Sequence, residues 1–212
     1  MNIPPDGSGD AFQWFVAVRR QEYEGEARAN LLRVLAIAAF YAVELVNYRG
    51  LNLPFLVLER VAGVDRRFHL AMTVLALAWA LSGWAVLLFL RRGLFPAALK
   101  FLSTGLDAVY LTAILLIADG PKSPLAAAYF PLLALSALRF NLPLVRFATA
   151  ACGAGYLVLV AHSACLREAT RVAPYAALTF LLALVFTGVL LGQVIRRTRS
   201  LAGDYAARLK GR

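Results

Sequence analysis

The chain has 212 residues, of which 61% are hydrophobic and 16% are charged. Soluble domains are about half apolar and a quarter charged, so this composition excludes an ordinary soluble domain. The apolar residues come in blocks, which also excludes a disordered chain or a disulfide-stapled module. Much of the net charge of +10 lies in arginines that flank these blocks, which indicates a membrane, not a nucleic acid, as the partner.

Residues 1–30 are predicted to form a cytoplasmic N-terminal segment. Ala11–Val18 is apolar and aromatic, and a mixed-charge run, Arg19–Arg28, follows it. We expect an interfacial helix that places Trp14 and Phe15 at the lipid headgroups. An ordinary short helix packed under the bundle is the alternative.

Residues 31–195 contain six stretches that are long enough, or nearly so, to cross about 30 Å of hydrocarbon, which takes roughly 20 residues. The predicted spans are about Leu31–Tyr48, Leu70–Leu90, Ala97–Ala118, Pro124–Phe140, Leu144–Cys165 and Pro174–Ile195. Most connections are short, and short connections make neighbouring helices antiparallel. The predicted fold class is therefore all-α, a polytopic membrane protein with a six-transmembrane-helix up-down bundle.

One connection, about Arg49–His69, is long. Its apolar residues favour an amphipathic segment that lies flat at the interface, and a partly re-entrant loop is the alternative. The apolar residues in question are Leu56, Val57, Leu58, Val61 and Val64.

The distribution of basic residues predicts the orientation of the bundle. With six spans, fifteen of the 22 Lys and Arg residues fall on the side that holds both termini. Cytoplasmic loops carry the excess of basic residues. We therefore expect both termini in the cytoplasm, with the bundle in a bacterial inner membrane and the lipid bilayer as its first partner.

Two acidic residues lie inside predicted spans. Glu44 is in the first span with Asn47 on the same helix face, and Asp107 is near the middle of the third span, one turn after Ser103 and Thr104. Ionisable groups are costly in lipid and mark functional sites by default. We expect Glu44 and Asp107 to line a polar pocket or proton path, or, alternatively, to accept interhelical hydrogen bonds that fix the packing.

Residues that typically bind metals or perform catalysis are sparse. His162 is a lone histidine near the end of the fifth span, and His69 is at a membrane boundary, so no two-histidine metal set arises within one helix. Cys152 and Cys165 are thirteen residues apart, which favours neither a disulfide nor a zinc site. Phosphate-binding loops, nucleophile elbows and zinc-protease motifs are absent from the sequence. We therefore expect no enzymatic activity and no metal.

Small residues predict where helices approach closely. Gly188 and Gly192 form one small-xxx-small pair in the sixth span, and Ala151 and Gly155 form another in the fifth. The contact is expected within the bundle or, alternatively, between subunits of a homo-oligomer or of a membrane complex.

Residues 196–212 are predicted to continue the sixth span as a basic cytoplasmic exit helix. Leu201, Tyr205 and Leu209 recur every four residues and form one stripe. Such a helix transmits a change in the bundle, or, alternatively, the basic tail binds anionic lipid headgroups.

The seven residues Asp119–Leu125 (DGPKSPL) lie between two spans and are followed by Tyr129 and Phe130. This segment resembles the Gly-Gly-x-x-Asn-Pro-Phe turn in the six-helix membrane input domains of bacterial redox-responsive sensor histidine kinases. The six spans and the exit helix also resemble the membrane domains of six-span bacterial adenylate cyclases.

The resemblance implies that Gly120, Ser123 and Pro124 take part in sensing a quinone. The sequence departs from the motif, with Asp119 at the first glycine, Ser123 at the asparagine and Leu125 at the phenylalanine. No histidine-phosphorylation box, ATP-binding region or cyclase domain follows in this sequence.

These observations lead to one hypothesis and two alternatives. The first is a non-enzymatic sensory input-like module, or an accessory subunit of a membrane complex, that binds a lipophilic ligand or a partner near Glu44, Asn47 and the 119–124 turn. The second is a small proton-coupled transporter that uses Glu44 and Asp107. The third is a subunit of an electron-transfer complex with a quinone or pigment as cofactor.

Overall fold

The computed structural model describes the backbone of residues 9–53, 56–58, 66–92 and 97–210, and the side chains of residues 25–50, 66–92 and 98–201. Nearly all of this backbone is helical. The helices are α1 (Gly9–Arg49), α2 (Arg66–Arg91), α3 (Ala97–Ile117), α4 (Tyr129–Ala137), α5 (Leu142–Leu166) and α6 (Pro174–Lys210). Short 3-10 segments lie at Gly120–Lys122, Pro124–Ala128 and Glu168–Thr170. Strands β1 (Leu51–Leu53) and β2 (Leu56–Leu58) pair as a small antiparallel hairpin.

Five helices are long and apolar enough to cross a membrane, which agrees with the predicted all-α class apart from the small hairpin and is compatible with a multi-pass membrane protein. These five segments are Gly25–Arg49, Arg66–Arg91, Ala98–Ile117, Leu142–Leu166 and Pro174–Leu201. Large apolar side chains cover their outer faces: Leu35, Val74, Leu81, Phe186 and Val194, for example, are all more than half exposed. A continuous apolar surface of this kind is unfavourable in water and suits a lipid environment.

The segment that corresponds to the fourth predicted span is shorter. Pro124–Ala137 is a 3-10 segment followed by the nine residues of α4, and the rises of the two helix types give it a length of about 24 Å. Pro124 opens the 3-10 segment, and the Ser123 hydroxyl caps it by accepting from the Leu125 N–H at 3.3 Å. The predicted count of six spans therefore stays a prediction beside five long helices and one short one.

The connections define two ends of the bundle. We call the end with the β-hairpin and the turns at 120–122 and 168–170 the hairpin end, and the end where α1 begins and α6 finishes the termini end. At the hairpin end Lys122 Nζ donates to the Ala169 carbonyl at 2.7 Å. At the termini end Arg199 donates to the Phe140 carbonyl. The short 124–137 segment thus returns the chain from the hairpin end to the termini end.

The core surrounds this short segment. Tyr129 and Leu133 of α4 are fully buried, and α4 packs against α3, α5 and α6. Further fully buried apolar side chains come from the facing helices, among them Leu111 and Leu115 of α3, Leu144, Val145, Ala148, Cys152, Tyr156 and Leu159 of α5, and Leu184 of α6. The short apolar segment is therefore the centre of the packing.

Both terminal helices are long and continuous. The backbone of α1 runs unbroken from Gly9 to Arg49, so the segment predicted as an interfacial helix continues directly into the first span. The side chains of Trp14 and Phe15 lie outside the described residues. Helix α6 likewise continues past Ile195 to Lys210. Within the long 49–69 connection the described residues 51–53 and 56–58 form the hairpin, and Val61 and Val64 lie outside them.

Three of the four predicted small residues, Gly155, Gly188 and Gly192, lie at close helix contacts within the subunit. A Cβ added at Gly188 of α6 would overlap the Thr149 side chain of α5, and one at Gly192 would lie 3.2 Å from Leu142. A Cβ at Gly155 of α5 would overlap Thr112 of α3 and lie 2.9 Å from the Tyr129 hydroxyl. Helices α3, α4 and α5 therefore approach each other closely because position 155 has no side chain.

We expect Gly155→Ala to destabilise the protein by about 1–3 kcal/mol, because the added methyl overpacks the contact between α5, Thr112 and Tyr129. Gly153, two residues away on the same helix, offers a matched control, since a Cβ added there would meet no atom within 4 Å. Thermal unfolding in detergent should show a lower Tm for Gly155→Ala and an unchanged or slightly higher Tm for Gly153→Ala. Equal Tm values for the two variants would contradict this account of the contact.

Candidate functional site

Two stripes of polar residues face each other in the half of the bundle nearer the termini end. On α1 the stripe is Glu26, Asn30 and Arg33, and all three side chains are buried. On α3 the stripe is Lys100, Ser103, Thr104 and Asp107, which are buried as well. Spacings of three and four residues keep each stripe on one helix face. The two helices therefore bring charged groups of both signs together in the interior.

Arg33 and Asp107 form an ion pair between α1 and α3. Arg33 Nη2 lies 2.9 Å from Asp107 Oδ2, and the two residues are 3% and 6% exposed. Asn30 supports the pair, since its Oδ1 accepts from Arg33 Nη1 at 2.9 Å and its Nδ2 donates to the Gly83 carbonyl of α2 at 3.1 Å. The pair thus links α1, α2 and α3.

Arg139, in the turn after α4, forms the second ion pair. Its Nη2 lies 2.7 Å from Oε1 of Glu26 on α1. Its Nη1 donates to the Lys100 carbonyl at 3.0 Å and to Thr104 Oγ1 at 2.6 Å, and Nη2 also approaches Ser103 Oγ at 3.3 Å. One guanidinium group therefore joins the middle of α1, the start of α3 and the turn after α4.

The four charges in these two pairs compensate each other. Moving an unpaired charge out of water costs several kcal/mol, and a buried partner offsets that cost only when the geometry is good. Both pairs have short contacts, and Asn30, Trp79 and Thr104 add hydrogen bonds to them. Glu26 Oε1 and the Nε atoms of Arg33 and Arg139 are buried and make no hydrogen bond, so the pairs are only partly satisfied. We refer to Glu26, Asn30, Arg33, Asp107 and Arg139 as the buried ionic network.

Trp79 of α2 connects the buried ionic network to a cavity nearer the hairpin end. Its indole Nε1 donates to Asp107 Oδ1 at 2.7 Å. Its ring stacks at 6.2 Å, centroid to centroid, on Tyr110 of α3, and Trp79 itself lines the cavity. A molecule in the cavity would therefore contact a side chain that holds Asp107 in place.

The cavity lies among α1, α2, α3 and the turn that follows α3. Its volume is about 460 Å³. Most of its surface is apolar, and its polar groups come mainly from four residues, Glu44, Asn47, Asp119 and Ser123. Phe40 and Val43 of α1 line it and are 39% and 60% exposed. These two residues give the cavity an exposed apolar rim beside α1, and the lining residues Asn47, Asp119 and Pro124 are exposed at its hairpin end.

Glu44 is the buried acid of the cavity. Both of its carboxylate oxygens lie close to His69 Nδ1 of α2, at 3.0 and 3.1 Å. Tyr48 stacks on the His69 ring with centroids 4.0 Å apart. One turn earlier on α1, the Tyr41 hydroxyl hydrogen bonds with Thr73 Oγ1 of α2 at 3.0 Å. These contacts hold α1 and α2 together along one wall and fix the position of the carboxylate.

The structure brings together some of the residues that the sequence singled out. Glu44, Asn47, Ser123 and Pro124 all line the cavity, although they come from two segments about eighty residues apart in the sequence. Asp107 does not line it and contacts it only through Trp79.

Gly120 and the small packing residues also lie away from the cavity. Gly120 has a φ of +59°, and a Cβ there would face Thr170 at the turn before α6. Ala151 and Gly155 face the opposite side of α3, where they line a shallow apolar groove with Thr112 and Phe147.

Within the described part of the chain, no group of three or more His, Cys, Asp or Glu side chains is placed to hold a metal ion. Cys152 is buried and Cys165 is exposed, and both are free thiols.

The partners of the two predicted acids are not evident from the sequence alone. By sequence, Arg33 and Arg139 belong with the basic residues of the termini side, Glu26 lies in the N-terminal segment, and Trp79 is one apolar residue among many. The available signal is the polar stripe at positions 26, 30 and 33, whose spacing matches the stripe that ends at Asp107.

No protein-family model, curated protein or solved structure matches this chain. The assignment of a function therefore rests on the geometry of the site itself.

Proposed function

We propose that the chain is a non-enzymatic integral membrane protein that binds a lipophilic ligand in the cavity between α1, α2, α3 and the 119–125 turn. It acts as a sensory input-like module or as an accessory subunit of a membrane complex. In this proposal the chain passes six times through a bacterial inner membrane, with the short 124–137 segment as its fourth pass and both termini in the cytoplasm.

The observation that carries the proposal is the shape and lining of the cavity. A volume of about 460 Å³ falls within the range of ligand pockets, roughly 300–1,000 Å³. The lining is mainly apolar with a few fixed polar groups, which is the usual composition of such pockets. Phe40 and Val43 form an exposed apolar rim beside α1. A ligand dissolved in the bilayer would enter sideways past these two residues without crossing water.

The contacts of Trp79 support a sensory role. This residue lines the cavity and donates to Asp107, which pairs with Arg33 of α1. A ligand that displaces the indole ring would weaken the hydrogen bond to Asp107 and shift α1 relative to α3. This shift of α1 would begin at the cavity and extend along the helix to the termini end of the bundle.

The transporter alternative receives less support from the geometry. Glu44 is engaged by His69, and Asp107 is engaged by Arg33 and Trp79. A proton carrier needs acids that exchange protons with both sides, whereas Asp107 is 6% exposed and does not line the cavity.

We expect Ala76→Phe to weaken ligand binding, because Ala76 of α2 lines the cavity and a phenyl ring there would fill part of it. The full chain is purified in mild detergent, and lipophilic compounds in its extract are quantified by mass spectrometry. The wild type should carry a compound in near-stoichiometric amount, and Ala76→Phe about tenfold less.

Leu77→Phe is the matched control, since Leu77 is the neighbouring residue and is 58% exposed on the outer face. It should retain the compound, and the Tm of both variants shows that they are folded. Equal amounts of the compound in Ala76→Phe and the wild type, or no enriched compound in either, would contradict the proposal.

A further inference from the structure

The charged groups that line the cavity are all acidic. Among the described residues, its lining includes the carboxylates of Glu44 and Asp119 and no lysine or arginine. We infer that the ligand is a lipophilic cation, an organic molecule with an apolar body and one positive charge. This inference rests on the proposed function and adds the chemical class of the ligand.

Glu44 is the group that would receive the positive charge. It is 8% exposed, and a single nitrogen, His69 Nδ1, lies between its two carboxylate oxygens. A carboxylate offers about four acceptor positions, so this one nitrogen does not fill them all. In a mostly apolar cavity the attraction between this carboxylate and a cation is much stronger than in water.

Aromatic side chains complete the environment that a cation prefers. Phe40, Tyr41, Phe68 and Trp79 all line the cavity. The faces of such rings attract positive charge within about 6 Å, and they attract desolvated cations most strongly. An anionic ligand would meet the same rings and the two carboxylates unfavourably.

Among the described residues, the lysine and the arginines of the hairpin end lie outside the cavity lining. Lys122 donates to the Ala169 carbonyl, and Arg167 donates to the carbonyls of Leu116 and Ala118. Arg49, Arg66 and Arg67 are exposed at the ends of α1 and α2 and do not line the cavity.

A pair of probes with matched shape and opposite charge tests the inference. Tetraphenylphosphonium is the cation, tetraphenylborate is the anion, and a short-chain benzoquinone is the neutral probe. The chain has three tryptophans, and Trp14→Phe with Trp84→Phe leaves Trp79 in the cavity wall as the only fluorescent indole. Binding to the full chain in detergent is measured by quenching of Trp79 fluorescence and by equilibrium dialysis.

We expect tetraphenylphosphonium to bind at least about tenfold more tightly than tetraphenylborate. Glu44→Gln, which keeps the shape of the side chain, should weaken cation binding by about tenfold or more. Asp119→Asn should weaken it by a smaller factor, since Asp119 is exposed. Glu168→Gln removes an exposed acid from the same end outside the cavity and should change nothing.

Each other outcome has a defined meaning. If the anion or the quinone binds as tightly as the cation, or if Glu44→Gln leaves cation binding unchanged, the inference is wrong and the proposed binding cavity stands. If none of the three probes binds to the wild type, both the inference and the proposed function are overturned.

Discussion

Asp107→Ala is expected to lower the free energy of unfolding by about 3–5 kcal/mol, because it leaves Arg33 buried without its counter-charge. Arg33 is 3% exposed, and its Nη2 lies 2.9 Å from Asp107 Oδ2. The substitution also removes the acceptor of the Trp79 indole N–H. SDS-induced unfolding in mixed micelles measures the loss, which should also appear as a smaller yield of folded protein.

Two further variants separate the ion pair from simple loss of packing. Replacing both partners, Arg33→Leu with Asp107→Leu, should recover much of the stability, because no unpaired charge is then left in the interior. Glu168→Ala removes an exposed acid outside the buried ionic network and should change stability by less than about 0.5 kcal/mol.

If Asp107→Ala is as stable as the wild type, the ion pair contributes nothing to folding. If the double variant is less stable than either single variant, the two charges do not act as a compensated pair.

Most of the fold was predictable from the sequence because long apolar blocks are rarely compatible with a water-soluble chain. Helices of the length of α2 or α6 with exposed apolar faces need a lipid environment, and hydropathy alone reveals them. The fourth segment was harder to predict, since Pro124–Ala137 is short and mainly apolar. Its composition gives no sign that it forms a 3-10 segment followed by α4 at the centre of the core, because that position depends on how α3, α5 and α6 pack around it.

The candidate site was predictable only in part. Glu44 and Asp107 were identifiable because a charge inside an apolar stretch has no favourable contact with lipid. Their partners were not identifiable, because which helix faces which is decided by packing. Arg33 and Arg139 in particular have the same sequence context as arginines at a membrane boundary, and only the fold places them opposite Asp107 and Glu26.

The arrangement of the two sites explains how one could influence the other. The cavity and the buried ionic network share α1 as a wall, and Trp79 contacts both. Arg33 and Glu26 both lie on α1, where they pair with Asp107 and Arg139 respectively. A shift of α1 at the cavity would therefore strain two ion pairs at once. The proposed sensory function depends on this shared helix.

Arg139→Lys is expected to destabilise the protein by about 2–3 kcal/mol, even though it keeps the positive charge. Each lost hydrogen bond costs about 0.5–1.5 kcal/mol, and buried acceptors that are left unpaired add to this loss of stability. The guanidinium of Arg139 reaches Glu26, Thr104 and the Lys100 carbonyl from two different nitrogens. A lysine has one nitrogen and no planar fork, so it cannot satisfy all of these groups in the same geometry. SDS-induced unfolding in mixed micelles measures the difference.

Companion variants show whether shape or charge is the cause. Arg139→Gln removes the ion-pair partner of the buried Glu26 and should cost about 3–5 kcal/mol, and Glu26→Gln in the same chain should recover part of that loss. Arg146→Lys, an exposed arginine nearby in the sequence on α5, is the control and should leave the SDS unfolding curve unchanged. If Arg139→Lys unfolds like the wild type, the positive charge alone accounts for the stabilisation at this position. The several N–H donors of the guanidinium group are then not needed to join α1, α3 and α4.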